Sequence, residues 1–115
     1  MPRFDLVKFA KAIFQFKITD TAVVPPIITA LLKLPPGDQH LLRSLRYVIC
    51  AGAPMNADMQ TKLYTLLAPD AVVGQCWGAT EVGWISLFNW EEKDTSGSVG
   101  RLLPNVKLKF VRCMM

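Results

Sequence analysis

Two short stretches concentrate residue types that can do chemistry. Residues 77–81 read Trp-Gly-Ala-Thr-Glu, and residues 50–54 read Cys-Ala-Gly-Ala-Pro. The ring of Trp77 can stack on a planar base, and Gly78 allows a backbone to come close to a ligand. The Thr80 hydroxyl and neighbouring N–H groups can hold a phosphate. The Glu81 carboxylate is an oxygen ligand of the kind magnesium prefers. Small residues at Ala51, Gly52 and Ala53, closed by Pro54, let a flat ring lie against the chain. Each stretch also has a plainer reading, a tight turn at 51–54 and a strand exit with a solvated glutamate at 77–81. Residue types alone leave both readings open.

The flanking elements say where these stretches must lie. Leu6, Phe9, Ala10, Ile13 and Phe16 recur at helical spacing and predict an amphipathic helix over 5–16. Residues 18–24 are β-rich and end at Pro25-Pro26, which suit the first turn of a helix through residue 33. Leu-Pro-Pro-Gly-Asp-Gln then breaks the chain. A buried strand is expected over 45–51, followed by a helix over 57–67 with Asn56 as its cap, Asp58 in its first turn, and Met59, Leu63 and Leu66 on its buried face. A second buried strand is expected over 71–76. Alternating strands and helices predict an α/β fold with a parallel sheet. Ligands in such sheets bind beyond the carboxyl ends of strands, where both stretches fall. After Gly83 the texture changes to an aromatic run at 84–90, a polar loop at 91–97 and an alternating segment, Val-Lys-Leu-Lys-Phe-Val, that predicts a half-exposed strand. One partial domain is expected, with a βαβ-type portion over about 1–83 and a β-rich portion over 84–115. A helix opening at residue 5 and a strand running into residue 115 predict a piece truncated at both ends.

Composition removes several classes. Of 115 residues, 51% are hydrophobic, which opposes disorder. No apolar run approaches the roughly 18 residues of a membrane span, and no signal-like stretch opens the chain. Cys50, Cys76 and Cys113 are widely spaced, and with one histidine they form no zinc pattern. Reduced thiols and an intracellular, cytoplasmic setting are expected. The net charge of +4 is spread among apolar residues instead of clustered, so no nucleic-acid partner is expected.

Four blocks then carry a resemblance. TDTAVVPPIITALLK, LRSLRYVICAGAPMNADM, GQCWGATEVGW and SGSVGRLLPNVKLKFV occur in this order between about residues 4 and 111. In that order they resemble the acyl-adenylate-forming (AMP-dependent synthetase/ligase) superfamily, most closely its acyl-CoA synthetase and coumarate–CoA ligase branch. The resemblance implies activation of a carboxylic acid by ATP, release of pyrophosphate, and transfer of the acyl group to a thiol, usually coenzyme A. It implies that Ala51, Gly52, Ala53 and Pro54 lie against adenine, with Trp77 and Gly78 flanking the base. It implies catalytic contacts from Thr80 and Glu81 to phosphate and to magnesium. Cys76 and Ala79 would border the acyl pocket.

The chain departs from the family at two of these positions. Cys76 replaces a usual glycine, as either a narrowing pocket residue or a buried inert thiol, and Ala79 replaces a larger residue and widens what it faces. The run at 94–105 resembles a phosphate loop but follows the WGATE block, lacks Pro-Lys-Gly, and matches a later block; no G-x-x-x-x-G-K-[ST] occurs. Nor is it a nucleophile elbow, because Ser96 stands in place of the first glycine. His40 is read as a surface residue.

The family's phosphate loop, ribose-binding aspartate and catalytic lysine have no counterpart in these residues. The expectation is therefore a piece of an ATP-dependent acid–thiol ligase, inactive by itself. The alternatives are a non-catalytic module that holds nucleotide or acyl group, and a truncated product without function. Self-association of the isolated chain is expected from strands built to be covered.

Overall fold

The computed structural model describes residues 3–89, 92–93 and 96–112. Residues 1–2, Trp90, Glu91, Asp94, Thr95 and residues 113–115 lie outside the described residues. Cys113 and parts of the expected polar loop and of the 94–105 run fall among them.

Helix α1 spans Leu6–Phe16, and the Asp5 carboxylate accepts the N–H groups of Val7 and Lys8. These are donors that a helix start otherwise leaves unpaired. Ala10 and Ile13 are buried, with Leu6 and Phe9 packed partly against the core. Phe16, expected on the buried face, is 69% exposed. The helix ends at that residue, and Lys17 takes a left-handed conformation with φ of 51° that turns the chain away. Ser44 Oγ fastens this turn by donating to the carbonyls of Ile13 and Ile18.

Strand β1 covers Asp20–Val23, and helix α2, Pro25–Leu32, opens on two prolines whose missing N–H groups need no partner there. A 3₁₀ turn at Gln39–Leu42 buries Leu41 and Leu42 before strand β2, Tyr47–Cys50. Asn56 caps helix α3, Ala57–Tyr64, by accepting the Met59 N–H. That helix stops three residues before the expected Leu67 because Thr65, Leu66 and Leu67 each donate three residues back, which tightens the chain into turns. Leu66 and Leu67 remain buried in those turns. Strand β3, Val72–Gln75, is buried along its whole length.

Strands β1, β2 and β3 form one parallel sheet in that order, with Val23 opposite Cys50 and Cys50 opposite Gln75. The α/β expectation holds, with crossovers carrying α2 and α3. Its core gathers Ile13, Ile28, Leu31, Leu42, Val48, Leu63 and Val73.

The second sheet departs from expectation. Residues 77–79, read as a strand exit, form strand β4, Trp77–Ala79, which pairs antiparallel with β5, Gly83–Leu87. Strand β6, Arg101–Leu102, pairs on the other side of β5. The alternating run 106–111 forms no strand. Val106 donates to Leu103 in a turn, and residues 107–112 are exposed. Alternation marks a face, but a strand also needs a paired backbone, and among the described residues β5 receives that pairing from 101–102 instead.

Contacts at Phe88 lock the sheets together. Tyr47 donates its hydroxyl to the Phe88 carbonyl at 2.8 Å. The Phe88 ring lies where a Cβ on Gly74 would meet it at 3.1 Å. Within the second sheet, Ser86 of β5 donates to the Val99 carbonyl, just before β6, at 2.8 Å.

Candidate functional site

The parallel strands deliver the two chemical stretches side by side. The Ala51 N–H donates to the Val23 carbonyl at 3.0 Å, and the Cys76 N–H to the Cys50 carbonyl at 3.0 Å. The turn at 51–54 and the start of the hairpin therefore leave adjacent strands at one level. Gly52 has φ of +89°, and a Cβ there would stand 3.3 Å from Val24 Cγ1. Both constraints favour glycine.

The hairpin closes with the Val82 N–H donating to the Ala79 carbonyl at 3.1 Å, which puts Thr80 and Glu81 at its tip. Its register shifts between Trp77 and Gly78, so Trp77 faces Ser86 and Gly78 faces Trp84. Such an irregularity re-aims side chains. A Cβ on Gly78 would lie 2.6 Å from the Gly83 carbonyl oxygen. The absence of a side chain at Gly78 is thus required by its own partner strand.

Two cavities flank this junction. One, of about 290 Å³, is lined by Ala51, Gly52, Cys76, Gly78, Ala79, Thr80, Gly83 and Trp84. The other, of about 400 Å³, includes Gly52, Ala53, Pro54, Met55, Gln75, Trp77 and Gly97 in its wall and also meets Cys76 and Gly78. The structure thus brings together nine of the ten residues singled out from sequence, and divides them. Ala53, Pro54 and Trp77 line the larger cavity, Ala51, Ala79 and Thr80 the smaller, and Gly52, Cys76 and Gly78 both. Glu81 is exposed and lines neither.

Among the described residues no charged side chain lines either cavity. Burial, and secondarily the Cys76 thiol, pushes the Cys50 thiol up to about 11. Burial likewise raises Cys76, so both thiols are neutral near pH 7. Cys76 Sγ rests 3.7 Å from the Cys50 carbonyl oxygen. Tyr47 is raised by burial first, then by Cys76, Asp20 and Glu92. Among the described residues no group of three or more His, Cys, Asp or Glu gathers to hold a metal. His40 is exposed, with its ring edge-on to Phe14 at 5.6 Å.

Sequence reasoning missed Gln75 and Trp84. Gln75 is 5% exposed, and its amide accepts from the Met55 N–H at 2.8 Å and donates to the carbonyls of Met55 and Gly97, both at 2.9 Å. A glutamine inside an otherwise apolar strand run was the available signal, since buried amides need partners. Trp84 carried no signal, because its place in a cavity depends on hairpin register.

The chain matches the AMP-binding enzyme family over residues 1–113. It is 40% identical over 112 residues to an acyl-CoA synthetase of Alternaria alternata, covering 96% of this chain and 19% of that protein. It is 37% identical over 116 residues to a 4-coumarate–CoA ligase of Oryza sativa, covering 96% of this chain and 20% of the relative. The chain thus spans about a fifth of the length of these curated relatives. A luciferase-like enzyme from the nonluminescent Zophobas morio mealworm superposes with a TM-score of 0.73 at 28% identity, over 87% of this chain and 25% of the other. An acyl-CoA synthetase of Brucella canis shares the fold with a TM-score of 0.75 at 24% identity, over 89% of this chain and 19% of the other. With the family matched along nearly its whole length and four ordered motifs in place, this chain belongs to the AMP-binding enzymes, the adenylate-forming superfamily of acyl-CoA synthetases and ligases.

Proposed function

We propose that these residues form the shared wall of the nucleotide and acyl sites in an ATP-dependent acid–thiol ligase. The observation that carries this reading is the pair of cavities meeting at Gly52, Cys76 and Gly78. The larger cavity, with Trp77 and the Ala53-Pro54 turn, takes adenine, for which a ring face and a close backbone suffice. The smaller, with Ala79, Cys76 and Trp84, takes the carboxylic acid; Ala51, which the resemblance sets against adenine, lines this cavity beside Gly52. An acyl-adenylate has one ligand in each, joined at the phosphate, and Thr80 at the hairpin tip stands where that phosphate would be held.

Glu81 fits magnesium, which commonly takes one or two protein carboxylates together with phosphate oxygens. Glu81 would supply the carboxylate that holds magnesium, which when bound would neutralise charge at the phosphates. The thiol acceptor in this reading is coenzyme A, and the compartment is intracellular. The 115-residue chain by itself does not catalyse the reaction, because no lysine or phosphate loop of the family's kind lies in it to stabilise developing charge.

The test is a graft. Residues 3–112 replace the matching stretch of the Alternaria alternata synthetase, and acid-dependent pyrophosphate release is measured. The graft is expected to release pyrophosphate, and Thr80→Ala or Glu81→Ala within it to lower kcat on the order of a hundredfold. The 115-residue chain itself is expected to stay at background. A graft indifferent to both substitutions, or acid-dependent release by the isolated chain, would overturn the reading.

A further inference from the structure

Gln75 pairs with Cys50 across the parallel sheet, and its amide bonds to the backbone on both sides of the larger cavity. Its Oε1 accepts the Met55 N–H at 2.8 Å, and its Nε2 donates to the Met55 carbonyl and to the Gly97 carbonyl, each at 2.9 Å. Met55 ends the turn that begins at Ala51, and Gly97 belongs to the loop leading to β6. Met55 and Gly97 both line the cavity with Trp77, and Gln75 lies two residues before that ring. One planar group thus sets the distance between two loops that are 42 positions apart in the chain, with both loops referred to the end of β3.

We infer that Gln75 is a positioning residue for the nucleotide: it holds the 51–55 turn and the 96–99 loop at the spacing that admits a flat base beside Trp77. The inference rests on the reading of the larger cavity as the adenine site. An amide is the side chain that fits, because the site needs one acceptor and two donors from a single planar group. Leucine would leave three backbone groups without partners. Glutamate would reproduce the acceptor, but its second oxygen would face two carbonyl oxygens. Protonated, that oxygen donates to one of them; ionised, it repels both.

The chemistry of glutamate at this position supplies the test. Adenosine, which carries no charge between about pH 5 and pH 8, is titrated into the 115-residue chain, Gln75→Glu and Gln75→Leu by ligand-observed NMR. Gln75→Glu is expected to bind within about threefold of the parent near pH 5 and about tenfold more weakly near pH 8, the loss of a buried hydrogen bond. The parent should hold one affinity across that range, and Gln75→Leu should be weak throughout. Recovery of Gln75→Glu at low pH excludes misfolding as the cause of its weakness at high pH. If the parent binds adenosine and Gln75→Glu shows no pH dependence, the positioning role falls and the nucleotide reading stands. If the parent fails to bind adenosine, or binds it unchanged after Trp77→Ala, the nucleotide reading falls and takes the positioning role with it.

Discussion

Trp77 and Trp84 stand on paired antiparallel strands and line different cavities, Trp77 beside Pro54 and Trp84 beside Ala79. A regular ladder would set residue 77 against residue 85 if Gly78 stays opposite Trp84. The register shift instead sets Trp77 against Ser86 and leaves one residue over on β5. The two rings, 43% and 53% exposed, stand in the walls of different cavities.

The two rings should therefore be separable by ligand. Trp77→Ala is expected to weaken ATP binding about two- to tenfold, the range of a stacking contact. Trp84→Ala should leave ATP affinity within about twofold and change the binding of carboxylic acids instead. Calorimetry with ATP and with a panel of aromatic and aliphatic acids checks both, and equal effects of both substitutions on ATP would refute the division. The affinity of the 115-residue chain for ATP should be no tighter than about millimolar, since among the described residues no cationic side chain lines either cavity.

Gly78→Ala should damage the hairpin before it affects any ligand. The new Cβ would stand 2.6 Å from the Gly83 carbonyl oxygen and 3.2 Å from the Trp84 Cα, both backbone atoms that cannot swing aside. A cost of about 1–3 kcal/mol is expected, seen by circular dichroism as a fall in melting midpoint on the order of 5 °C or more. An unchanged midpoint would show that β4 and β5 pair less closely than described.

Stability should fall as pH rises through the thiol range. The Cys50 thiol is raised from 9.0 to about 11 in the folded chain. The unfolded chain loses this proton first, so the contribution of the neutral buried thiol is complete below about pH 9 and is lost between about pH 9 and 11. Cys76 shifts in the same direction and adds to the trend. The Cys50 part amounts to at most about 3 kcal/mol. Differential scanning fluorimetry from pH 8 to 11 should show the decline, and Cys50→Ala should flatten part of it. Iodoacetamide should alkylate both thiols slowly near pH 8, and rapid labelling of either would contradict their burial.

The isolated chain should self-associate. Phe16, Phe110 and Val111 are 69%, 90% and 78% exposed. Among the described residues, β1 and β3 of the parallel sheet each pair on one side only. Unpaired strand edges beside apolar side chains favour pairing between chains. Light scattering at micromolar concentration is expected to find oligomers or aggregates and a broad melting transition. A monodisperse monomer with a sharp transition would instead favour a self-sufficient binding module.

Much of the first sheet was legible because its signals are local. Asn56 caps α3 as its residue type dictates, two prolines open α2, and the apolar runs around Val48 and Val73 became buried strands. Legibility failed where a neighbour distant in sequence decided the outcome. Residues 77–79 became a strand only because Gly83–Leu87 pairs with them, and among the described residues it is Arg101–Leu102, not the alternating run at 106–111, that pairs on the other side of β5.

By itself the sequence determined the order and type of the elements of the parallel sheet, and nine of the ten residues that it singled out line the two cavities. These follow from side-chain size, charge and hydrogen bonding within a few positions along the chain. The tertiary structure alone decided which cavity each residue faces, that Glu81 lies beyond both, and that Gln75 ties the two loops of the larger one. The physical reason is distance along the chain. Register at the hairpin depends on backbone pairing across a turn, and the Gln75 amide meets Met55 and Gly97 at separations of 20 and 22 residues. Those are contacts that no local propensity encodes.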